Sequence, residues 1–186
     1  MNIGFALCGS FCTYEKVFPI MESLAKEHTV IPIFSDNSYR VDSRFGTAEE
    51  HIQKAEKICG RPVLHTIAEV EPIGPKKLLD ILVIAPCTGN TLAKLAHSIA
   101  DTPVTMAAKS HLRNGRSVLV GISTNDGLAG AAENIGKLLG RKQYYFFPIG
   151  QDDPQSKPTS IVADYTQIPQ AIEAAIAGKQ LQPILL

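Results

Sequence analysis

The sequence of 186 residues has no tryptophan, only four cysteines and no excess of charge of either sign. Eighteen basic side chains balance eighteen acidic ones, so nothing favours nucleic acid or an anionic membrane as a partner. The cysteines lack the paired spacing of a metal site and are too few for a disulfide scaffold. The sequence therefore predicts no metal site, and we expect a reducing, cytoplasmic environment.

Long apolar runs and a dinucleotide fingerprint are also missing. No run of about 18 apolar residues is present, which argues against a membrane-spanning helix. The first residues lack the basic flank and cleavage site of a secretory signal, and no GxGxxG motif occurs. With 45% hydrophobic residues, the chain is predicted to form a single domain over 1–186, with a loop at 150–160 and a tail at 178–186. The tail is expected to be loose or docked on a partner, and the zero net charge fits a homo-oligomer.

Apolar runs alternate with amphipathic segments along the chain. Buried strands are predicted at 2–8, 29–34, 81–85, 117–122 and 144–148, with a short extended piece at 62–66. Helical patterns follow at 14–24, 47–59, 92–99, 103–112, 128–139 and 168–177. Pro86 is expected to end the third main strand, because proline has no N–H to donate to a ladder. The alternation predicts a three-layer α/β fold with a doubly wound parallel sheet, flavodoxin-like or Rossmann-like.

Small polar residues follow four of the predicted strands: Gly9 and Ser10, Ser35, Thr88 and Asn90, and Thr124 and Asn125. One such loop is equally well explained as a strand–helix connection with capping residues. The carboxyl ends of parallel strands, however, meet at one edge of a sheet, where open α/β folds bind ligands. The four loops together predict a site for a planar cofactor that carries phosphate, or for a nucleotide.

Residues 85–101, which read APCTGNTLAKLAHSIAD, resemble the Ala-Pro-x-Ser/Thr-Ala-Asn-Thr-x-x-Lys motif of flavoproteins that include the flavin-dependent cysteine decarboxylases. Residues 9–14 are similar to the Gly-Ser-x-x-x-Tyr loop of the same family, and the resemblance spans most of 2–140. It implies an FMN cofactor. When the FMN-binding positions of the family are transferred to this sequence, they fall on Gly9, Ser10, Phe11, Ser35, Pro86, Cys87, Thr88, Asn90 and Thr105.

The same resemblance implies His65 and Asn125 as catalytic candidates. Residues 63–65 match the surroundings of the family's active-site histidine, but 69–77 lengthen the path from His65 to the next strand. For His65 a structural or solvated role stays open. The family's Pro-Ala-Met-Asn-x-x-Met-Trp substrate clamp falls on 122–128, where Asn125 alone is retained. Cysteine decarboxylation is therefore not favoured.

The runs 4–13, 71–77, 85–91 and 124–128 are similar to the B subunits of dipicolinate synthases. This resemblance implies NADP-linked oxidation of dihydrodipicolinate, a small dicarboxylate, to dipicolinate in the mother cell of a sporulating bacterium. It also implies an A subunit as partner, and binding of NADP there fits the missing fingerprint here. Two alternatives stay open: an FMN-dependent decarboxylase of a cysteine-containing substrate such as phosphopantothenoylcysteine, and a non-catalytic scaffold with a vestigial flavin pocket.

Overall fold

Five parallel strands form the main part of the sheet in the computed structural model, which describes residues 1–186. They are β1 (Asn2–Leu7), β2 (Thr29–Phe34), β3 (Ile81–Cys87), β4 (Val118–Thr124) and β5 (Tyr144–Phe146). Their order is β2-β1-β3-β4-β5, parallel at each step. This is the order of flavodoxin-like doubly wound folds, and it confirms the predicted fold class.

Eight α-helices surround the sheet: α1 (Tyr14–Glu27), α2 (Asp36–Arg40), α3 (Ala48–Cys59), α4 (Ile67–Val70), α5 (Gly89–Ala96), α6 (Pro103–Leu112), α7 (Ala132–Leu139) and α8 (Ile168–Ile176). Helix α1 packs against α3, whereas α5 packs against both α6 and α7. No helix is both long and apolar enough to cross a membrane.

The apolar centre of the molecule is one cluster of 47 buried residues. Every residue of β3 is buried, because helices cover both faces of this strand as they do in parallel sheets. Burying one large apolar side chain stabilises the fold by roughly 1.5–3 kcal/mol. The ends of the central strands are consequently fixed, and so are the loops that leave them.

The sheet continues beyond the parallel strands in a way that the sequence did not predict. Strands β6 (Ile149–Gly150) and β7 (Ile161–Ala163) pair antiparallel with each other, and β7 pairs antiparallel with β4, so the sheet is mixed. The loop predicted at 150–160 thus begins one residue later than expected, since Gly150 belongs to β6. Strands of two or three residues carry too few positions for an alternating pattern to be visible.

The C-terminal tail docks on its own chain. The Ile149 N–H donates to the Ile184 carbonyl oxygen at 2.8 Å, and the Leu186 N–H donates to the Ile149 carbonyl oxygen at 3.0 Å. The tail therefore extends the edge formed by β6 and is not loose in this part, while docking on a partner stays a prediction.

Pro86 does not end β3, as the sequence predicted. The strand runs through it to Cys87, and the pairing with β4 shifts register between Ile84 and Cys87. On the other side, the Cys8 N–H donates to the Pro86 carbonyl oxygen at 3.1 Å. Proline is tolerated because an irregularity in the ladder removes the need for its missing donor.

Two helices are shorter than their apolar patterns. Ile99 lies beyond α5 and is 47% exposed, and Leu128 lies before α7 and is 54% exposed. Both residues fit the helical period, but neither packs in the core.

Candidate functional site

A cavity of about 550 Å³ opens at the carboxyl ends of β1, β3 and β4, a size within the range of ligand sites. Its wall comes from the loop after β1, Thr88 after β3, the end of β4, the turn before α3 and the β6–β7 loop. This is the edge at which open α/β sheets bind ligands.

Hydroxyl groups from distant parts of the chain meet on one side of the cavity. Ser10 and Ser123 lie 113 positions apart, and their Oγ atoms are 2.7 Å apart in a hydrogen bond. The Thr124 hydroxyl donates to the Asp126 carboxylate at 2.5 Å. Ser10, Thr88, Ser123 and Thr124 line the cavity with neutral hydroxyl groups and are called the strand-end wall. The Thr88 hydroxyl donates to the Thr91 Oγ1 atom at 3.2 Å.

Thr88 is the N-cap of α5, and its side chain accepts a hydrogen bond from the Thr91 N–H at 3.5 Å. Only glycine fits at the next position, Gly89, because a Cβ atom there would lie 2.8 Å from the Thr124 Oγ1 atom. The end of β4 can therefore pack directly against the first turn of α5, where free N–H groups point outward.

A second part of the cavity lining carries charge. It is formed by Lys16 of α1, Arg44 and Phe45 of the turn before α3, and Lys157 of the β6–β7 loop; these four residues are named the outer wall. Asp152 also lines the cavity, and it accepts from the Lys157 Nζ atom at 2.8 Å. Sequence reasoning missed the outer wall, because no motif or period marks isolated basic residues in loops.

The structure brings together some of the residues predicted to form the site. Those that line the cavity are Gly9, Ser10, Phe11, Thr88 and Asn125. Those that do not are Ser35, His65, Pro86, Cys87, Asn90 and Thr105. Asn90 lies in the first turn of α5 with an exposed side chain, whereas Pro86 and Cys87 are buried in β3.

Ser35 is the N-cap of α2 and takes part in a buried hydrogen-bond chain. Its Oγ atom lies 2.8 Å from that of Ser38, and the Ser38 hydroxyl donates to the Leu7 carbonyl oxygen at 2.8 Å. The Tyr14 hydroxyl donates to Ser38 at 2.9 Å. Burial raises the pKa of Tyr14, so the phenol stays neutral and the chain joins β1, α1 and α2.

Thr105 and Cys87, which are also predicted to bind FMN, have a structural role in the fold. The Thr105 hydroxyl lies 2.7 Å from that of Thr102 in the capping box of α6, and Thr105 lines a separate cavity of about 170 Å³. Burial raises the pKa of the Cys87 thiol well above its ordinary value, so Cys87 is a neutral core side chain.

His65 lies beside β2. Its ring stacks on Tyr39 with centroids 3.7 Å apart and an interplanar angle of 1°, and its Nδ1 atom is 3.5 Å from the Glu69 carboxylate. Leu64, the residue before it, forms a bridge with Ile33. The backbone N–H of His65 donates to the Glu69 carboxylate at 2.9 Å, and the ring Nδ1 atom also lies 3.5 Å from the Val63 carbonyl oxygen. The catalytic role of His65 stays a prediction.

Asn125 lies in a segment that packs against the added strand. Its carbonyl oxygen accepts from the Thr159 hydroxyl at 2.6 Å, and the Leu128 N–H donates to the Thr159 carbonyl oxygen at 2.9 Å. A Cβ atom on Gly127 would lie 2.7 Å from the Ile161 Cβ atom. The Asn125 side chain is exposed and available to a ligand.

Comparison with known proteins identifies the family. Residues 1–126 match the flavoprotein family. The chain is 47% identical over its full length to the B subunit of dipicolinate synthase from Bacillus subtilis, covering 93% of that protein. The crystal structure of the corresponding B subunit from Bacillus halodurans superposes with a TM-score of 0.91 at 46% identity, over 100% of this chain and 95% of that one.

More distant structures share the fold. Burkholderia xenovorans DmrB in complex with FMN superposes with a TM-score of 0.68 at 17% identity, over 95% of each chain. The FMN-dependent cysteine decarboxylase SpaF gives a TM-score of 0.70 at 18% identity, again over 95% of each chain. The chain therefore belongs to the flavoprotein family and, within it, to the relatives of the dipicolinate synthase B subunits.

Proposed function

We propose that this chain is the B subunit of a dipicolinate synthase. The observation that carries the proposal is the 47% identity over the full chain to the Bacillus subtilis protein. In this role the chain works with an A subunit in the NADP-linked oxidation of dihydrodipicolinate to dipicolinate, in the mother cell of a sporulating bacterium. NADP binds to the A subunit, since the loop after β1 here has no GxGxxG sequence.

FMN is the cofactor proposed for the cavity. The residues fit such a group: the strand-end wall offers hydroxyl donors and the N-terminus of α5 for a phosphate, and Phe11 adds an aromatic side chain. Bound FMN would supply a hydride acceptor. Gly9, Ser10, Thr88 and Phe11 would hold it, with Asn90 at the exposed end of α5, while Ser35, Pro86, Cys87 and Thr105 would shape the fold around it.

Asn125 is the residue proposed to contact the substrate, because its amide is exposed beside the cavity. His65 is proposed only as a second candidate, since it does not line the cavity. Decarboxylation of a cysteine-containing substrate is disfavoured. The segment that would carry the family's clamp is hydrogen-bonded to the β6–β7 region and retains Asn125 alone.

The experiment is a reconstitution of the two subunits. The chain is co-expressed with the A subunit, and NADPH formation from dihydrodipicolinate is followed for the complex and for each subunit alone. We expect full activity only from the complex. Equal activity of the A subunit alone would overturn the catalytic role, and release of carbon dioxide from a cysteine substrate would support the decarboxylase.

The scaffold alternative is tested by removing hydroxyls without disturbing assembly. The double variant Ser10→Ala and Ser123→Ala should still co-purify with the A subunit, whereas its FMN binding should weaken and its turnover should be lost. Ser156→Ala in the exposed β6–β7 loop is the control. Unchanged turnover in the double variant would support a scaffold with a vestigial pocket. Sedimentation of the purified chain at several concentrations tests the proposed homo-oligomer.

A further inference from the structure

Basic side chains outnumber acidic ones in the lining of the cavity, although the formal net charge of the chain is zero. Lys16, Arg44 and Lys157 face the cavity with Asp152 as the one acidic side chain in its wall. Asp152 is paired with Lys157, whereas Lys16 and Arg44 take part in no ion pair. Two positive charges of the cavity lining therefore have no ion-pair partner and attract an anionic ligand. Lys16 also lines a neighbouring cavity of about 900 Å³, in which Asp152 and Asp164 are further lining residues.

Arg44 is held by a turn whose backbone is fixed. The Ser43 N–H donates to the Gly46 carbonyl oxygen at 3.0 Å, and the Gly46 N–H donates back to Ser43 at 3.1 Å. The Asp42 carboxylate accepts from the Ala48 N–H at 2.9 Å, which ties the turn to the start of α3. The guanidinium stays exposed while its backbone is constrained, so binding a ligand costs little backbone entropy.

Gly46 closes this turn against α3. Its φ angle is +124°, and a Cβ atom there would lie 2.9 Å from the Cε1 atom of His51. The ring of His51 is in turn buried beside Phe11 and Tyr14, with its centroid 4.8 Å from that of Tyr14. The position of Arg44 is thus linked through packed rings to the loop that carries Ser10.

An aromatic face lies next to the cation. Phe45 is 41% exposed and lines the cavity, and the Arg44 Cζ atom is 4.9 Å from the centre of its ring. A guanidinium binds a carboxylate through two parallel N–H groups, and an aromatic ring offers a flat surface to a planar ligand. Arg44, Lys16 and Phe45 together match a planar ring with two carboxylates.

We propose that Arg44 and Lys16 each bind one carboxylate of a heterocyclic dicarboxylate in this cavity, with Phe45 packed on its ring. The proposal rests on the proposed function and names how the substrate is selected. The strand-end wall already offers donors for a flavin phosphate. The two cations come from α1 and from the turn before α3, and we assign the flavin phosphate to the hydroxyl groups and the dicarboxylate to the cations.

The test uses the complex with the A subunit and measures binding of dipicolinate and of FMN separately by calorimetry. Arg44→Ala should weaken dipicolinate binding by about tenfold or more, the effect of losing a charged hydrogen-bond pair. FMN affinity should stay within about twofold of the wild type. Arg44→Lys should recover part of the loss, because it restores the charge without the two-pronged geometry.

Arg61→Ala is the matched control, since Arg61 is an exposed arginine that does not line the cavity. Picolinate, with one carboxylate fewer, should bind wild type more weakly than dipicolinate and respond less to Lys16→Ala. Unchanged dipicolinate affinity in Arg44→Ala overturns the proposal. So does an equal loss of FMN and inorganic phosphate binding, which would assign Arg44 to the flavin. A complex that oxidises dihydrodipicolinate normally with Arg44→Ala would leave the proposed function standing and remove only this inference.

Discussion

The strand-end wall and the outer wall enclose the same cavity but are built differently. Ser10, Thr88 and Ser123 are held at the ends of buried strands and at a helix cap, and they present neutral donors. Arg44 and Lys157 lie on an exposed turn and an exposed loop that local hydrogen bonds hold in place. In the proposed function, the strand ends hold the cofactor, and the charged residues of α1, the turn before α3 and the β6–β7 loop select the substrate.

The largest expected effect comes from breaking the support of the strand-end wall. Ile84→Ala in the fully buried β3 should lower the free energy of unfolding by about 2–5 kcal/mol, because it leaves a cavity in a packed core. Urea denaturation followed by circular dichroism measures the change. Leu128→Ala, at a site that is 54% exposed, should cost less than about 0.5 kcal/mol. Similar costs at both positions would show that β3 does not hold the site.

Acid should weaken the packing of α6 beside the start of β4, at the end of that strand opposite to the cavity. Burial lowers the pKa of His111 from 6.5 to about 4, and its Nε2 atom lies 3.0 Å from the Ser117 carbonyl oxygen. The unfolded chain therefore binds a proton before the folded one does. The contribution of His111 to the free energy of unfolding is fully present above pH 6.5. It is lost as the pH drops toward 4, and the loss is about 2 kcal/mol at pH 5.

The measurement is thermal unfolding of the wild type and His111→Gln between pH 7.5 and pH 4.5. The variant keeps a side-chain donor but cannot titrate, so its stability should fall less steeply with acid. Parallel curves for the two proteins would exclude His111 as the source of the pH dependence.

The outer wall can be displaced without touching the sheet. Gly46→Ala forces a side chain into a left-handed conformation against His51, and we expect a cost of about 1–3 kcal/mol. Dipicolinate binding should fall by about fivefold or more as Arg44 moves. FMN affinity should fall less, because Gly46 reaches the loop of Ser10 and Phe11 only through His51. Gly60→Ala is the control, since Gly60 has a φ angle of +64° but no neighbour within 4 Å of a Cβ atom. Equal effects on both ligands would contradict the division between the walls.

The smallest effect is expected from one hydroxyl of the strand-end wall. Ser10→Ala removes a hydrogen bond to Ser123 and a donor to the cavity, which should weaken FMN binding by about fivefold and leave dipicolinate binding unchanged. Quenching of flavin fluorescence reports the first affinity, and calorimetry reports the second. A loss of dipicolinate binding alone would reverse the assignment of the two walls.

The sequence predicts the strand-end wall far better than the outer wall. The apolar run that ends near Ala85 and the cap at Thr88 are local signals, because strand burial and helix capping depend on neighbouring residues. Arg44 offers no such signal. Its position depends on the contact between Gly46 and His51 and on the hydrogen bond that Asp42 accepts from the Ala48 N–H. The strands β6 and β7 escape prediction for a related reason, since pairing with the end of β4, not local pattern, defines them.

A motif transferred from a family predicts the position of a residue only where the chain keeps the family's local structure. Thr88 lines the cavity as the resemblance implies, whereas Thr105 lines a different one and His65 stacks on Tyr39. Strand-end positions do not all behave alike, since Ser35 follows β2 but caps α2 and does not line the cavity. Positions on connecting helices and edge segments depend on packing that the motif does not contain.

The most direct test of the two-walled cavity is a crystal structure of the complex with both FMN and dipicolinate bound. We predict the FMN phosphate within hydrogen-bonding distance of Ser10 and Thr88, and one dipicolinate carboxylate paired with Arg44. A structure with dipicolinate outside this cavity, or with the flavin phosphate on Arg44, would contradict it.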